Sequence, residues 1–235
     1  MSRFTTALGS SIGAKLTMAL TGLALLGFLI AHMVGNLQVF AGPEKINAYA
    51  HTLQNLGPVL WAMRIGLLTI FGLHVWTAFK LWTANKAARP VPYAVVVPSA
   101  STYASRTMIW SGFIVLAFVV YHLLHFTLGA VQSDIYQQTR EAWASADGKH
   151  PDVYAMIVRG FRNPGVALSY VVAQLLLGLH LSHGVSSLFQ TLGFTSPRVA
   201  CVKKAAGPLV ATVIVIGNCS IPLSILLGLV GKGVN

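Results

Sequence analysis

Charge is scarce in this chain. Only 9% of its 235 residues are Asp, Glu, Lys or Arg, where a soluble globular domain carries about 25%. A surface so poor in charge is not solvated by water, which excludes an ordinary soluble domain and makes a bilayer the natural solvent. Acid is scarcer still: five Asp and Glu stand against 16 Lys and Arg, for a net charge of +11. A basic balance often marks a nucleic-acid binder. Here the cations sit at the ends of apolar runs rather than in a stripe, which fits headgroup contact and topology signals instead. Cysteine is limited to Cys201 and Cys219, too few for a disulfide framework and without metal-ligand spacing; Cys219, inside an apolar run, reads as a buried structural thiol. No cleavable signal peptide is expected, because the first apolar stretch is too long and lacks a small-residue cleavage site. No internal repeat or low-complexity tract stands out.

What the sequence has is hydrophobicity, at 55% of its residues. A spanning helix needs about 20 mostly apolar residues. Five runs qualify, at about 16–40, 60–82, 107–130, 165–192 and 205–231. The expectation is an all-α fold: a single membrane domain, 1–235, of five transmembrane helices in contact with membrane lipids. Only the second run holds charge, Arg64 and Lys80 near its two ends, where both can snorkel to the interface. Breaker residues separate the runs: Ala41-Gly42-Pro43-Glu44 after the first, Arg89-Pro90-Val91-Pro92 and Pro98 between the second and third, Arg162-Asn163-Pro164-Gly165 before the fourth and Pro197 after it. The loop from Val131 to Asn163 is the longest and holds every acid except Glu44: Asp134, Glu141, Asp147 and Asp152. It reads as a small structured cap with a short helix around Tyr154 to Arg159.

Orientation rests on the basic residues. An N-terminus inside puts Arg3, Lys15, Lys80, Lys86, Arg89, Arg106, Arg198, Lys203 and Lys204 on the inner side. The outer side then collects Lys45, Arg64, Arg140, Lys149, Arg159, Arg162 and Lys232. The bias favours a cytoplasmic N-terminus in a cell's inner membrane.

Histidine carries the functional signal. Of eight histidines, all but His51 and His150 fall in the apolar runs: His32, His74, His122, His125, His180 and His183. Ionisable groups within a membrane are costly and usually functional. A lone histidine in a span is ordinarily a helix-to-helix hydrogen bond; histidines in each of the first four runs, with almost no other ionisable group there, point to ligation. Depth constrains the pairing. From the helical rise, His32 lies roughly 9 Å outward of its span's middle, His122 roughly 6 Å and His125 roughly 10 Å outward. His74 lies roughly 4 Å, His180 roughly 3 Å and His183 roughly 7 Å inward. Spans one and three thus supply imidazoles at an outer level, and spans two and four at an inner level. Two levels with two helices each suit two bis-histidine haems, whereas a zinc site needs three or four ligands converging at one level. Spacing does not choose between His122 and His125, or between His180 and His183, because residues three apart share a helix face. Gly35, Gly72 and Gly184 beside the histidines suit either a porphyrin plane or plain helix packing.

Three stretches carry a family resemblance: Phe28-Leu29-Ile30-Ala31-His32-Met33, Gly112 through His122-Leu123, and His183-Gly184 followed by Leu188-Phe189. Together with five spans and ligands on the first four, they resemble the single-chain, two-haem cytochrome b subunit of succinate:quinone oxidoreductases, including fumarate reductases. The resemblance implies two haems b. His32 and His122 would hold the outer one, with the glycine ten positions before the ligand selecting His122. His74 and His183 would hold the inner one, with the following glycine selecting His183. His125 and His180 become additional imidazoles near the haems. The implied partners are a flavoprotein subunit, which oxidises succinate, an iron–sulfur subunit that delivers electrons, and a quinone, menaquinone or ubiquinone, that accepts them; a higher oligomer of the whole complex is compatible with the resemblance. This chain has no glycine fingerprint, cysteine cluster or soluble domain, so succinate oxidation is not expected of it; the resemblance implies that it serves as the electron-transfer and quinone-binding anchor.

Haem propionates are anions that suit Arg, Lys, Ser or Tyr at the membrane edge. Lys15, Ser105 and Arg106 on the inner side and Arg64, His51 and Arg162 on the outer side are the candidates, alongside plain interfacial snorkelling. Ser11 and Lys15, one helical turn apart, resemble a Ser/basic pair near quinone in related anchors, and His51 with Arg64 and Glu44 marks a second candidate quinone site. Two other readings keep some of these features: a cytochrome b subunit of a hydrogenase or formate dehydrogenase, and a small transporter with a histidine relay.

Overall fold

The computed structural model describes residues 10–88, 91, 101–146, 152–194 and 196–234. Arg3, Arg89, Pro90, Pro92, Pro98, Asp147, Lys149 and His150 lie outside the described residues. The chain is an all-α, multi-pass membrane protein: five helices are long and apolar enough to cross a bilayer, and no strand occurs among the described residues.

The spans start and stop where capping chemistry allows. The first, Ser11–Asn36, begins five residues before its apolar run because Ser10 caps it, its Oγ accepting from Gly13 N at 3.0 Å. It runs on as a 3-10 turn, Leu37–Ala41. The second, Pro58–Ala87, and the fourth, Pro164–Thr191, each open on a proline, whose missing N–H costs nothing in the first turn. Asn163 Oδ1 caps the fourth by accepting from Gly165 N at 2.9 Å. The third is α-helical over Met108–His122 and changes to a π-helix at Leu123–Thr127. The fifth, Ala200–Leu226, ends before the expected 231, and Gly228 just beyond it takes a left-handed φ of 69° that no helix continues through.

The spans do not pack evenly. The first lies against the second, the third against the fourth, and the fourth against both the first and the fifth. The second makes no comparable contact with the third or fourth. Close approach between the fourth and fifth spans depends on glycine: a Cβ on Gly207 would run into the Ser182 carbonyl oxygen. Asn218 Nδ2 donates to Gln174 Oε1 at 3.0 Å across the same interface, a polar link between membrane helices.

One end of the bundle is closed by a folded cap. It contains the expected short helix, Val153–Phe161, and two more helices, Pro43–Gln54 and Ser133–Ala146. Asn47, buried, binds two groups across it: its Nδ2 donates to Asp152 Oδ1 at 2.9 Å and its Oδ1 accepts from Tyr154 N at 3.0 Å. Asp152 in turn caps the Val153–Phe161 helix through Ala155 N at 3.0 Å. Beneath the cap lies the apolar core, where Val39, Ile46, Ile157, Val158 and Phe161 meet Tyr170, Ile221 and Ile225 of the spans. The end carrying the cap is the expected outer side and is called the cap side below.

Candidate functional site

Two imidazoles meet on the cap side. His32 of the first span and His122 of the third have ring centroids 5.8 Å apart and planes at 87°. Phe28 stacks on His32 at 5.4 Å, while Phe118, Phe126 and Tyr170 surround His122. The Tyr170 hydroxyl lies 3.4 Å from His122 Nδ1 and 2.9 Å from His125 Nδ1. His125 is 3% exposed, and its second nitrogen is also engaged, with Nε2 2.7 Å from Gln132 Oε1. Both ring nitrogens of His125 therefore have partners within the protein, whereas for His122 only Nδ1 has a hydrogen-bond partner among the described residues. The structure separates the two histidines that spacing left equivalent.

At the opposite level the rings are set by hydroxyl groups on neighbouring spans. Thr21 Oγ1 donates to the Thr17 carbonyl at 2.7 Å, so its oxygen is left to accept from His74 Nδ1 at 3.1 Å. Ser111 Oγ donates to the Met108 carbonyl at 3.0 Å and accepts from His180 Nδ1 at 3.2 Å. Each hydroxyl is followed by a glycine that lies against the same ring: a Cβ on Gly22 would stand 3.4 Å from His74 Cε1, and one on Gly112 would stand 3.6 Å from His180 Cε1. His74 and His180 thus have matching settings, each with Nδ1 beside a hydroxyl of a neighbouring span and with a backbone hydrogen bond to that span, at Met18 and Met108 respectively. His183 lies within electrostatic range of His180 but makes no such hydrogen bond among the described residues.

A sequence pattern underlies this likeness. Thr21-Gly22 precedes His32 and Ser111-Gly112 precedes His122 at the same spacing, and the two partner spans both read Gly-Leu-His, at Gly72-Leu73-His74 and Gly178-Leu179-His180. Eleven residues are about three helical turns, or roughly 16 Å. Spans one and three therefore each present, on one face, an imidazole for the cap-side level and a hydroxyl for the other. This doubled pattern gives His180, and not His183, the same local sequence as His74.

The remaining candidates stay at the edges. Ser11, Lys15, Arg64 and Arg106 are exposed. Arg64 lies over the Trp61 ring, its guanidinium carbon 5.1 Å from the centroid, and Arg106 donates to the Ser101 carbonyl at 3.1 Å. The Ser105 backbone N–H is capped by Thr102 Oγ1 at 3.1 Å. His51 Nε2 lies 2.9 Å from Asn55 Nδ2. Arg162 donates to the Gly231 carbonyl at 3.1 Å, tying the cap to the end of the fifth span. Of the glycines beside the histidines, Gly35 faces the Tyr49 ring of the cap, while Gly72 and Gly184 have open space around them.

Among the described residues, no three His, Cys, Asp or Glu converge as a metal site would require. Comparison with family models, with curated proteins and with solved structures finds no match.

Proposed function

We propose that this chain is a two-haem membrane cytochrome b, the anchor of a succinate:quinone oxidoreductase. The observation that carries the reading is the placement of imidazoles in two pairs at two depths, with the Nδ1 side of three of them held by hydroxyl groups. The His32 and His122 rings, with centroids 5.8 Å apart, would hold one haem between them. A neutral imidazole with Nδ1–H tied to an oxygen presents the Nε2 lone pair that iron takes. The residues present therefore fit haem: His32 with His122 on the cap side, and His74 with His180 at the other level. The choice of His180 departs from the ligand implied by the His183-Gly184 resemblance and follows the Ser111 hydrogen bond instead.

Bound b-type haem takes up and releases one electron at a time. The protein contributes position, tautomer and an apolar setting. The first span, through Thr21 and His32, and the third, through Ser111 and His122, reach both levels and fix their separation. The end opposite the cap, with Lys86, Arg198, Lys203 and Lys204, suits an acidic iron–sulfur partner by charge. Ser11, Lys15 and Arg106 on that end are the candidate contacts for propionate or quinone. A separate flavoprotein subunit would oxidise succinate.

The test is purification from membranes followed by a pyridine haemochrome assay, a reduced-minus-oxidised spectrum and identification of co-purifying subunits. Two haems b per chain, reducible by succinate in the complex, are expected. A colourless preparation would return the histidines to a relay; haem with a hydrogenase or formate dehydrogenase partner would keep the cytochrome and change its complex.

A further inference from the structure

The cap-side network contains more than a ligand and its neighbour. Gln132 Nε2 donates to the Gly160 carbonyl at 3.3 Å, which orients the amide and leaves Oε1 as an acceptor. His125 Nε2, 2.7 Å away, must then carry a proton and donate to it. Neutral His125 has one N–H, so its Nδ1 is an acceptor and receives the Tyr170 hydroxyl proton across 2.9 Å. The Tyr170 oxygen is left to accept from His122 Nδ1 at 3.4 Å. Every bond in the chain therefore has one permitted direction, running from His122 through Tyr170, His125 and Gln132 to the backbone of the Val153–Phe161 helix. Two backbone features support it. The third span changes to a π-helix at Leu123–Thr127, which carries His125, and Gln132 is the one non-glycine with a left-handed φ, 53°, among the described residues. Such conformations cost roughly 1–3 kcal/mol and persist where the surroundings impose them.

We infer that Tyr170, backed by His125 and Gln132, is the positioning device for His122: it dictates the Nδ1–H tautomer, aims Nε2 at His32 and sets how strongly His122 donates to a metal. The inference rests on the two-haem reading and deepens it. At 3.4 Å the Tyr170–His122 contact is the longest in the chain. Ligation at Nε2 makes Nδ1–H a better donor and tightens the contact. A tied Nδ1–H makes the imidazole a stronger donor to iron, which favours the oxidised metal. The level opposite the cap lacks this relay, because Thr21 and Ser111 end directly on carbonyls of their own helices.

The test compares the purified complex with Tyr170→Phe, His125→Leu and His125→Gln variants, read by redox titration and by electron paramagnetic resonance of the two low-spin haem signals. Tyr170→Phe keeps the ring and removes only the hydroxyl. The expected result is a rise in the midpoint potential and a change in the g values of one haem, with the other unmoved, and haem retention at the changed site weaker by about ten- to a hundredfold. His125→Leu should move the same signal in the same direction. His125→Gln should restore it, since a glutamine amide can accept from Tyr170 and donate to Gln132. Unchanged potentials and signals in both Tyr170→Phe and His125→Leu overturn the inference, as does equal disturbance by the Leu and Gln variants. Wild-type protein without two haems would instead overturn the underlying reading, so the two failures are told apart before any variant is made.

Discussion

The two histidine levels solve one problem with different means. On the cap side, His122 is oriented through Tyr170 and His125 by groups that belong to another span and to the cap, and the cap itself is fastened by Asn47 across more than a hundred positions of chain. At the other level, His74 and His180 are oriented by a hydroxyl on a packed neighbouring span, one residue before a glycine, with no cap involved. The first arrangement depends on tertiary contacts between residues far apart in sequence. The second needs only that two adjacent spans pack. The levels should therefore fail separately, and each can be removed without the other.

Under the two-haem reading proposed above, the largest effect is expected at the histidines opposite the cap. His180→Ala should leave one haem per chain by pyridine haemochrome, whereas His183→Ala should leave two; the reverse would restore the ligand set implied by the His183-Gly184 resemblance. Next comes the fastening of the cap. Asn47→Ala leaves the Tyr154 N–H without its partner and the Asp152 carboxylate with Ala155 N alone, at a cost of about 1–3 kcal/mol. A thermal melt followed in the Soret region should show the cap-side haem leaving at a lower temperature and the other holding. If both leave together, the levels are not independent.

Smaller changes act on the hydroxyls. Thr21→Val and Ser111→Ala remove the oxygen that accepts from His74 or His180 and should loosen the haem opposite the cap by about ten- to a hundredfold, measured as its transfer rate to apomyoglobin. The smallest expected effects are those of Gly22→Ala and Gly112→Ala, because the added methyl would make ordinary contact with the ring at 3.4 and 3.6 Å. Leucine at either glycine should displace the imidazole and bleach that level, which separates the need for a small residue from the need for glycine itself.

The five spans were legible because each is a long apolar run, and hydropathy reports that directly. Their ends were less so: Ser10 and Asn163 set two starts by hydrogen bonding, and Gly228 follows the early end of the fifth span with a backbone angle. None of these is a hydropathy signal. Within the cap, the Val153–Phe161 helix was anticipated, while Pro43–Gln54 and Ser133–Ala146 were not, since short amphipathic helices among polar residues carry little periodic signal. The pairing of the first span with the third followed from depth alone. Depth does not choose between His180 and His183, because residues three apart share a face and the group that gives them different settings, Ser111, sits on another helix. Gly-Leu-His occurring twice is the sequence counterpart of that setting.

The second span, which carries His74, leans chiefly on the first, and its most hydrophobic stretch has no buried residue. A helix attached along one side is a thermodynamic reporter of whatever else binds it. Under the reading proposed here, occupancy of His74 links that span to the fourth, and a ligand that binds only the closed arrangement stabilises it by a logarithm of its concentration over its dissociation constant. Protein made when haem is scarce should then expose the 58–87 segment to proteases and detergent, while haem-replete protein resists both. Cofactor supply in the cell would be written into how firmly one membrane helix is held.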